Sequence, residues 1–519
     1  MKSKFLSAVR KIISRSILLR LFTSVMFLIA VSATAEEYGD FTYTDNGATI
    51  TITGYDYNGS GGAVTIPGMI NGKPVTSIGT SAFSRRKKLT DITIPDSVTS
   101  IGDTAFAFCT GLTSVNLPNS LTSIGDNAFY YCGLTSVKIP DSVTSIGVYS
   151  FYHCTELTSV TIGNSVTNIG ADAFRYCTDL TSVTIPKSVT SIGDSTFYYC
   201  TKLTVITVDA SNSSYSSLDG VLFNKSQTTL IQYPPGKAGS YTIPASVTSI
   251  EKHAFYYCTK LTDIAIPAST NIREPAFTCC AGLTAITVDA ANSSCSSLDG
   301  VLFNKSQTTL IQCPSGKAGS YNIPASVTNI GYYAFASCTG LTSVTIPKSV
   351  TSIGGKAFSH CISLTGITVD AANSSYSSLD GVLFNKSQTT LIQCPSGKTG
   401  SYTIPASVTS IGESAFESCS SLTGVTIGNS VTSIGIVAFR DCKGLTSITI
   451  PASVTKIELE AFDGCDKLIG VYFRGNAPSF GFHLFNNARQ VTVYYLPGTT
   501  GWKPTFADCP TKLWPPDVK

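Results

Sequence analysis

The phrase Ile-Pro-x-Ser-Val-Thr-Ser-Ile-Gly-x-x-Ala-Phe-x-x-Cys-x-x-Leu-Thr-Ser-Val-Thr recurs along this chain, and its phenylalanine keeps time. It falls at Phe83, Phe106, Phe129, Phe151, Phe174, Phe197, Phe255, Phe277, Phe335, Phe358, Phe416, Phe439 and Phe462. Most steps are 23 residues, two are 22, and three are 58 because each carries the same 35-residue insert. A fixed period in the twenties is the mark of a solenoid, in which each coil buries its apolar face only against its neighbours. The 519 residues are therefore expected to form one elongated domain rather than several globules. Such a chain offers an extended surface, and nothing in the repeat itself is a reaction centre.

A single coil shows how the pattern folds. Leu112, Val115 and Leu117 are apolar, with Ser114 and Asn116 between them. That alternation predicts a short strand facing the core with Val115 and Leu117. Pro118 ends the strand, because proline has no N–H to give a ladder. Leu121 and Ile124 predict a second extended piece, and Gly125 a turn. Asp126 is then expected to cap one helical turn holding Ala128 and Phe129. Stacked coils place equivalent residues about 4.8 Å apart. Val115, Val137, Val160 and Val183 become an inward ladder. Thr161, Thr184, Thr207, Thr287, Thr345, Thr368, Thr426 and Thr449 become an outward one, suited by their β-branching and hydroxyls.

The pattern Leu-x-x-Val-x-Ile-Pro-x-Ser-Val-Thr-x-Ile-Gly-x-x-Ala-Phe-x-x-Cys resembles the BspA-like class of leucine-rich repeats, over about residues 64–475. The resemblance implies a curved, right-handed solenoid with a parallel sheet. It also implies a secreted or surface-exposed protein, bacterial or sometimes from a protist, with adhesins among its members. Binding residues are not part of that repeat motif, so none carries over.

Charge and termini agree with an extracellular setting. Lys2, Lys4, Arg10, Lys11, Arg15 and Arg20 precede the apolar run from Leu21 to Val31, and Ala33-Thr34-Ala35 fits a small-x-small cleavage site. Residues 1–35 are therefore expected to be a signal peptide. Without those six cations, 29 Lys and Arg face 32 Asp and Glu. The mature chain is then faintly acidic, which argues against nucleic acid as a partner. No later stretch is long and apolar enough for a membrane-spanning helix. Residues 36–63 alternate as a β cap for the first coil. Residues 64–475 hold the repeats, and 476–519, with Trp502 and Trp514, are expected to cap the last coil.

The inserts, about 208–242, 288–322 and 369–403, are near copies. In the first, Val221-Leu222-Phe223 and Thr229-Leu230-Ile231 flank a polar stretch, which predicts a hairpin. Three such hairpins are expected to form ridges along one side, either as a binding surface or as a longer repeat variant without a separate task.

Reactive side chains are present but scattered. Twelve of the 17 cysteines stand three residues after the repeat phenylalanine, in one ladder where parallel Cβ vectors favour buried free thiols over disulfides; none shows a zinc-binding C-x-x-C spacing. His153, His253, His360 and His483 form no recognisable catalytic motif with Ser, Cys or carboxylate. Asp103 and Asp126, in adjacent coils, would lie near the ~5–5.5 Å separation of retaining glycosidases, but each also fits a capping role. No catalytic residue, cofactor or metal site is expected. Seven Asn-x-Ser sequons, at Asn58, Asn212, Asn224, Asn292, Asn304, Asn373 and Asn385, would matter only in a source that glycosylates.

One stripe stands out. Two residues after the repeat phenylalanine come Phe108, Tyr131, His153, Tyr176, Tyr199 and Tyr257, whereas later coils place Cys279, Ser337, His360, Ser418, Asp441 and Gly464 there. These aromatic residues are the candidate ligand-binding positions, in a row that either faces a partner or packs over the coil edge. The sequence-level expectation is a secreted or cell-surface repeat protein binding an extracellular protein or glycan. A purely structural surface component is the alternative, and a carbohydrate-active enzyme a more distant one. The sequence leaves the oligomeric state open.

Overall fold

The computed structural model describes residues 35–56, 62–273, 275–488 and 490–514. The expected signal peptide, except for its last residue, and the sequon at Asn58 lie outside them. Within these residues the chain is a β-solenoid of stacked coils. Each regular coil has three sides. The first is the strand Ser114–Asn116 and its equivalents, paired in parallel so that Val137 lies beside Val160. The second is a two-residue strand: Ser123–Ile124 pairs with Ser100–Ile101 before it and Ser145–Ile146 after it. Leu112, Leu121 and Ile124 are buried as the alternation predicts, and Val115 is half-buried. Glycine is required at the corner that follows. A Cβ on Gly170 would stand 2.5 Å from the carbonyl carbon of Gly147 in the coil below.

The third side differs from the sequence expectation. The described residues contain no helix, and Asp126 caps none. Instead, two residues of each turn take left-handed backbone angles, such as Asn127 (φ 56°) and Tyr131 (φ 57°) around Phe129. The N–H groups of Asn127, Phe129 and Tyr131 donate to the carbonyls of Val148, Ser150 and Tyr152 in the next coil. The carbonyls of Asp126, Ala128 and Tyr130 accept from Thr104, Phe106 and Phe108 in the coil before. Three peptide units per coil thus point the same way along the axis, as in a helix. The gain is satisfaction: all six polar groups find partners in neighbouring coils, whereas a single helical turn would leave most of its own unpaired. Asp126 serves this ladder with its side chain. Its Oδ1 accepts from the Val148 N–H at 2.7 Å, and Asp103 Oδ1 accepts from the Asp126 N–H at 2.9 Å.

The core between the sides is a column of rings. Phe83, Phe106, Phe129, Phe151 and Phe174 are fully buried, with successive centroids 5.1, 5.2, 5.3 and 5.3 Å apart. All 17 cysteines are free thiols. In regular coils the ladder thiol donates to the phenylalanine carbonyl of the preceding coil, as Cys132 does to Phe106 at 3.1 Å. A small apolar side chain with one weak donor suits that position, and burial pushes the Cys109 and Cys154 thiols up to about 12.

The ends are closed. Phe41–Asp45 and Ile50–Tyr55 form an antiparallel hairpin, and the second strand continues in parallel into Lys73–Ile78. Tyr55 stacks on Phe83 at 5.3 Å and starts the ring column. At the other end, Thr492–Tyr495 and Cys509–Leu513 prolong the first ladder. Trp502 covers Tyr495 at 5.1 Å and Trp514 packs on Tyr472 at 5.0 Å.

The inserts are coils, not ridges. Tyr215–Leu218, Val221–Asn224 and Thr229–Gln232 make an antiparallel meander, so the expected hairpin is present with one strand more. Its last strand then joins the solenoid, with Leu230 beside Ile250 in parallel register. Val221, Leu222 and Phe223 are fully buried. Leu222 packs into the core formed before the insert, and Val221 and Phe223 into the core after it. Leu302 and Leu383 repeat the arrangement in the other two inserts. The pattern Val-Leu-Phe is therefore a septum with one face in each of two core blocks, which is why three apolar residues run together without alternation.

Candidate functional site

The aromatic stripe occupies the left-handed position of the third side. Phe108, Tyr131, His153, Tyr176, Tyr199 and Tyr257 all have φ between 57° and 63°. Phe108 is exposed, and the other five are half-buried. They lie on one another: Tyr131 on His153 at 3.9 Å, Tyr176 on Tyr199 at 4.1 Å, and Tyr199 on Tyr257 at 4.2 Å. Tyr130 and Tyr152, one residue earlier in their coils, form a second row at 4.9 Å. Burial lifts the Tyr152 phenol to about 12 and lowers the His153 imidazole, so both are neutral near pH 7.

Tyr199 and Tyr257 touch although an insert coil lies between them. Register explains how. Leu230 and Ser240 are ten residues apart, while their partners Ile250 and Asp263 are thirteen apart. The second and third inserts show the same shortfall, between Leu310 and Ser320 and between Leu391 and Ser401. On this side an insert coil has only a tight Pro-x-Gly turn, as in Tyr233-Pro234-Pro235-Gly236. It therefore stops short of the edge, and the flanking coils close over it. Tyr199 and Tyr256 share a hydroxyl hydrogen bond of 2.9 Å across the first insert. Cys279 Sγ and Ser337 Oγ lie 3.3 Å apart across the second. Ser418 Oγ and His360 Nδ1 are 2.7 Å apart across the third.

Three such closures fold the edge into a cleft of about 620 Å³, reaching from Arg175 to Asp441 along the chain. The structure brings Tyr199 and Tyr257 into its wall, and leaves Phe108, Tyr131, His153 and Tyr176 in a row leading away from it. Sequence reasoning did not bring together the other residues of the wall, among them His253, Tyr256, Thr278, His360, Glu417 and Arg440. Two observations give the cleft its chemistry. The Thr278 side chain is buried and its Oγ1 has no partner among the described residues, as is true of His253 Nδ1. Burial, with Lys252 and Arg175 adding positive field, holds the His253 imidazole down at about 4. Meanwhile the charges are matched locally: Arg175 with Asp172, Lys356 with Glu413, and Arg440 with Glu460 and Asp463.

Other sequence candidates are absorbed by the fold. Asn212, Asn292 and Asn373 are buried, and each amide donates to two carbonyls of the preceding coil, so these sequons are inaccessible. Asn224 holds the Thr228 and Thr229 N–H groups in the hairpin turn. Among the described residues no three His, Cys, Asp or Glu gather into a metal-binding group, and no helix is long and apolar enough to cross a membrane.

A family model described as a BspA type leucine rich repeat region, in six copies, matches residues 76–204, 235–318, 315–400 and 394–510. The chain belongs to that family. A solved leucine rich cell surface protein from Faecalibacterium prausnitzii A2-165 is 31% identical, covering 86% of this chain and 96% of its own, with a TM-score of 0.38. The pneumococcal vaccine antigen PcpA is 20% identical over 82% of this chain and 93% of its own, with a TM-score of 0.48. A leucine-rich repeat protein from Bacteroides ovatus ATCC 8483 is 22% identical over 84% and 99%, with a TM-score of 0.38. No curated protein matches the chain.

Proposed function

We propose that this is a secreted or surface-associated repeat protein that binds an extracellular protein or glycan, in an adhesin-like role, through the aromatic edge of its coils. One observation carries the reading. A tyrosine or phenylalanine in the left-handed region costs about 1–2 kcal/mol relative to glycine. The repeat has a cheaper solution, because Gly464 and Asp441 occupy the same position in later coils. Phe108, Tyr131, Tyr176, Tyr199 and Tyr257 therefore keep their rings at a conformational cost that folding does not require. Rings of this kind, partly covered and flanked by one another, are effective anchors in interfaces. Contacts repeated along an extended edge add by avidity. The Faecalibacterium relative, described as a cell surface protein, supports the location.

The test is a glycan and extracellular-matrix array probed with residues 36–519, alongside the triple variant Tyr131→Ser, Tyr176→Ser and Tyr199→Ser. Ser337 and Ser418 already occupy this position, so the variant is expected to fold, with a melting temperature lowered by the lost ring contacts and the Tyr199–Tyr256 hydrogen bond. Its binding is expected to weaken more than about tenfold. Equal affinity of the folded variant would remove the row from the binding surface.

A further inference from the structure

The row of rings ends in the cleft, and the two are not equivalent. The row is open and made of ring faces. The cleft combines the rings of Tyr199, Tyr256 and Tyr257 with Thr278 and His253, whose unpartnered Oγ1 and Nδ1 are buried in its wall. We propose that the cleft is the specificity site and that it takes a neutral, hydroxyl-rich glycan terminus of a few sugar rings. This deepens the preceding reading and rests on it.

Three features select that ligand. First, size: about 620 Å³ lies within the roughly 300–1,000 Å³ of small-ligand pockets. Second, charge: the cleft cations already have carboxylate partners, and Glu417, which is buried, accepts from the Ser359 hydroxyl at 2.7 Å with His360 nearby. An anionic ligand would find no unpaired cation, while a hydroxyl could meet both a donor and an acceptor. Third, backbone: a peptide commonly binds by adding a strand to a free sheet edge. The walls here are turn segments, and the N–H groups of Tyr257 and Ser418 are already given to Thr278 and Arg440 in the next coil. A sugar ring needs no such edge. It offers an apolar C–H face to a tyrosine and a rim of hydroxyls to the orphaned polar atoms. Leaving Thr278 Oγ1 buried and unpaired is unfavourable in the empty protein, and a rotation of the Thr278 side chain toward the cleft would let a ligand hydroxyl relieve it.

Thr278→Val tests this, because it removes the hydroxyl and keeps the shape. Residues 36–519, this variant and His253→Phe are titrated with short neutral oligosaccharides, their sialylated and sulfated counterparts, and extracellular-matrix proteins. The expected result is binding of neutral oligosaccharides, weakened about tenfold in each variant, with melting of Thr278→Val equal to or above the parent. Neutral oligosaccharides bound equally by parent and variants would overturn the cleft assignment. A preference for the charged glycans would overturn the neutral class. Binding confined to matrix proteins would overturn the glycan proposal while leaving the macromolecule-binding reading intact. Binding to none of these would sink both.

Discussion

The regular coils between Phe83 and Phe197 and the three insert coils solve the same problem differently. A regular coil offers an interchangeable set: one phenylalanine for the column, one thiol beneath it, and a turn of matched length. An insert coil keeps its place in the short ladder through Leu230, Leu310 or Leu391, but replaces the column phenylalanine by Tyr233, Cys313 or Cys394. It adds a meander whose Val-Leu-Phe strand divides the core, and it gives up three residues at the aromatic edge. Regular coils therefore make length, and insert coils make shape. A cleft arises without any catalytic or binding motif, because a turn shortened at three places lets side chains 57 or 58 residues apart meet.

The comparison breaks most sharply at the septum. Phe223→Ala is expected to cost about 3–5 kcal/mol, the same as Phe129→Ala, because both rings are fully buried. Denaturant unfolding checks this. A cost near zero for Phe223→Ala would restore the inserts to surface ridges.

A smaller effect distinguishes the inserts from one another. The Tyr215 and Tyr376 hydroxyls accept from the Ile192 and Ile353 N–H groups at 3.0 Å, where the short ladder is interrupted. The second insert has Cys295 at this position. Tyr215→Phe is expected to cost about 1 kcal/mol, and amide exchange at Ile192 to quicken. Unchanged exchange there would show that the hydroxyl does not seal the gap.

His253 opens the first coil after an insert. Its folded value of about 4 lies below the unfolded 6.5, so between those limits the unfolded chain binds the proton more. Its contribution to stability is thus present above about pH 6.5 and lost as pH falls towards about 4. The melting temperature of His253→Phe is expected to fall less than that of the parent over this range; parallel curves would refute it.

The smallest difference concerns the thiols. Cys132, Cys154 and Cys177 lie 3.1–3.2 Å from a phenylalanine carbonyl, but Cys258, Cys338 and Cys419, each above an insert coil, lie 3.8 Å from the Tyr233, Cys313 and Cys394 carbonyls. In mild denaturant the latter three should be alkylated before the former, as mass spectrometry would show. Simultaneous labelling would mean that the inserts do not divide the solenoid's stability.

Much of this was legible in the residues. The period gave the solenoid and alternation gave the strand beside Val115, while the ring column was implicit in a phenylalanine that returns once per regular coil. The turn was misjudged because Asp126 before Ala128 and Phe129 fits a helix start as well as it fits a turn. Only the neighbouring coil, which supplies partners for Asn127, Phe129 and Tyr131, decides between them. The inserts were misjudged for a related reason. Val221-Leu222-Phe223 signals a strand but not the two cores that bury it. A signal was available: Tyr233-Pro234-Pro235-Gly236 stands where a coil would have Phe-x-x-Cys. The cleft was not legible, since the contact of His360 with Ser418 depends on how far the coil between them reaches.

Deleting residues 208–242 joins Thr207 to Ile243 and returns the step from Phe197 to Phe255 to 23 residues. Small-angle scattering of that variant beside the parent tests most directly whether inserts bend the solenoid. If the insert is a coil that pinches the aromatic edge, the variant folds, the pinch between Tyr199 and Tyr256 is released, and the maximum dimension rises although 35 residues are gone. A maximum dimension unchanged or smaller, with the curvature of the parent retained, would contradict the account.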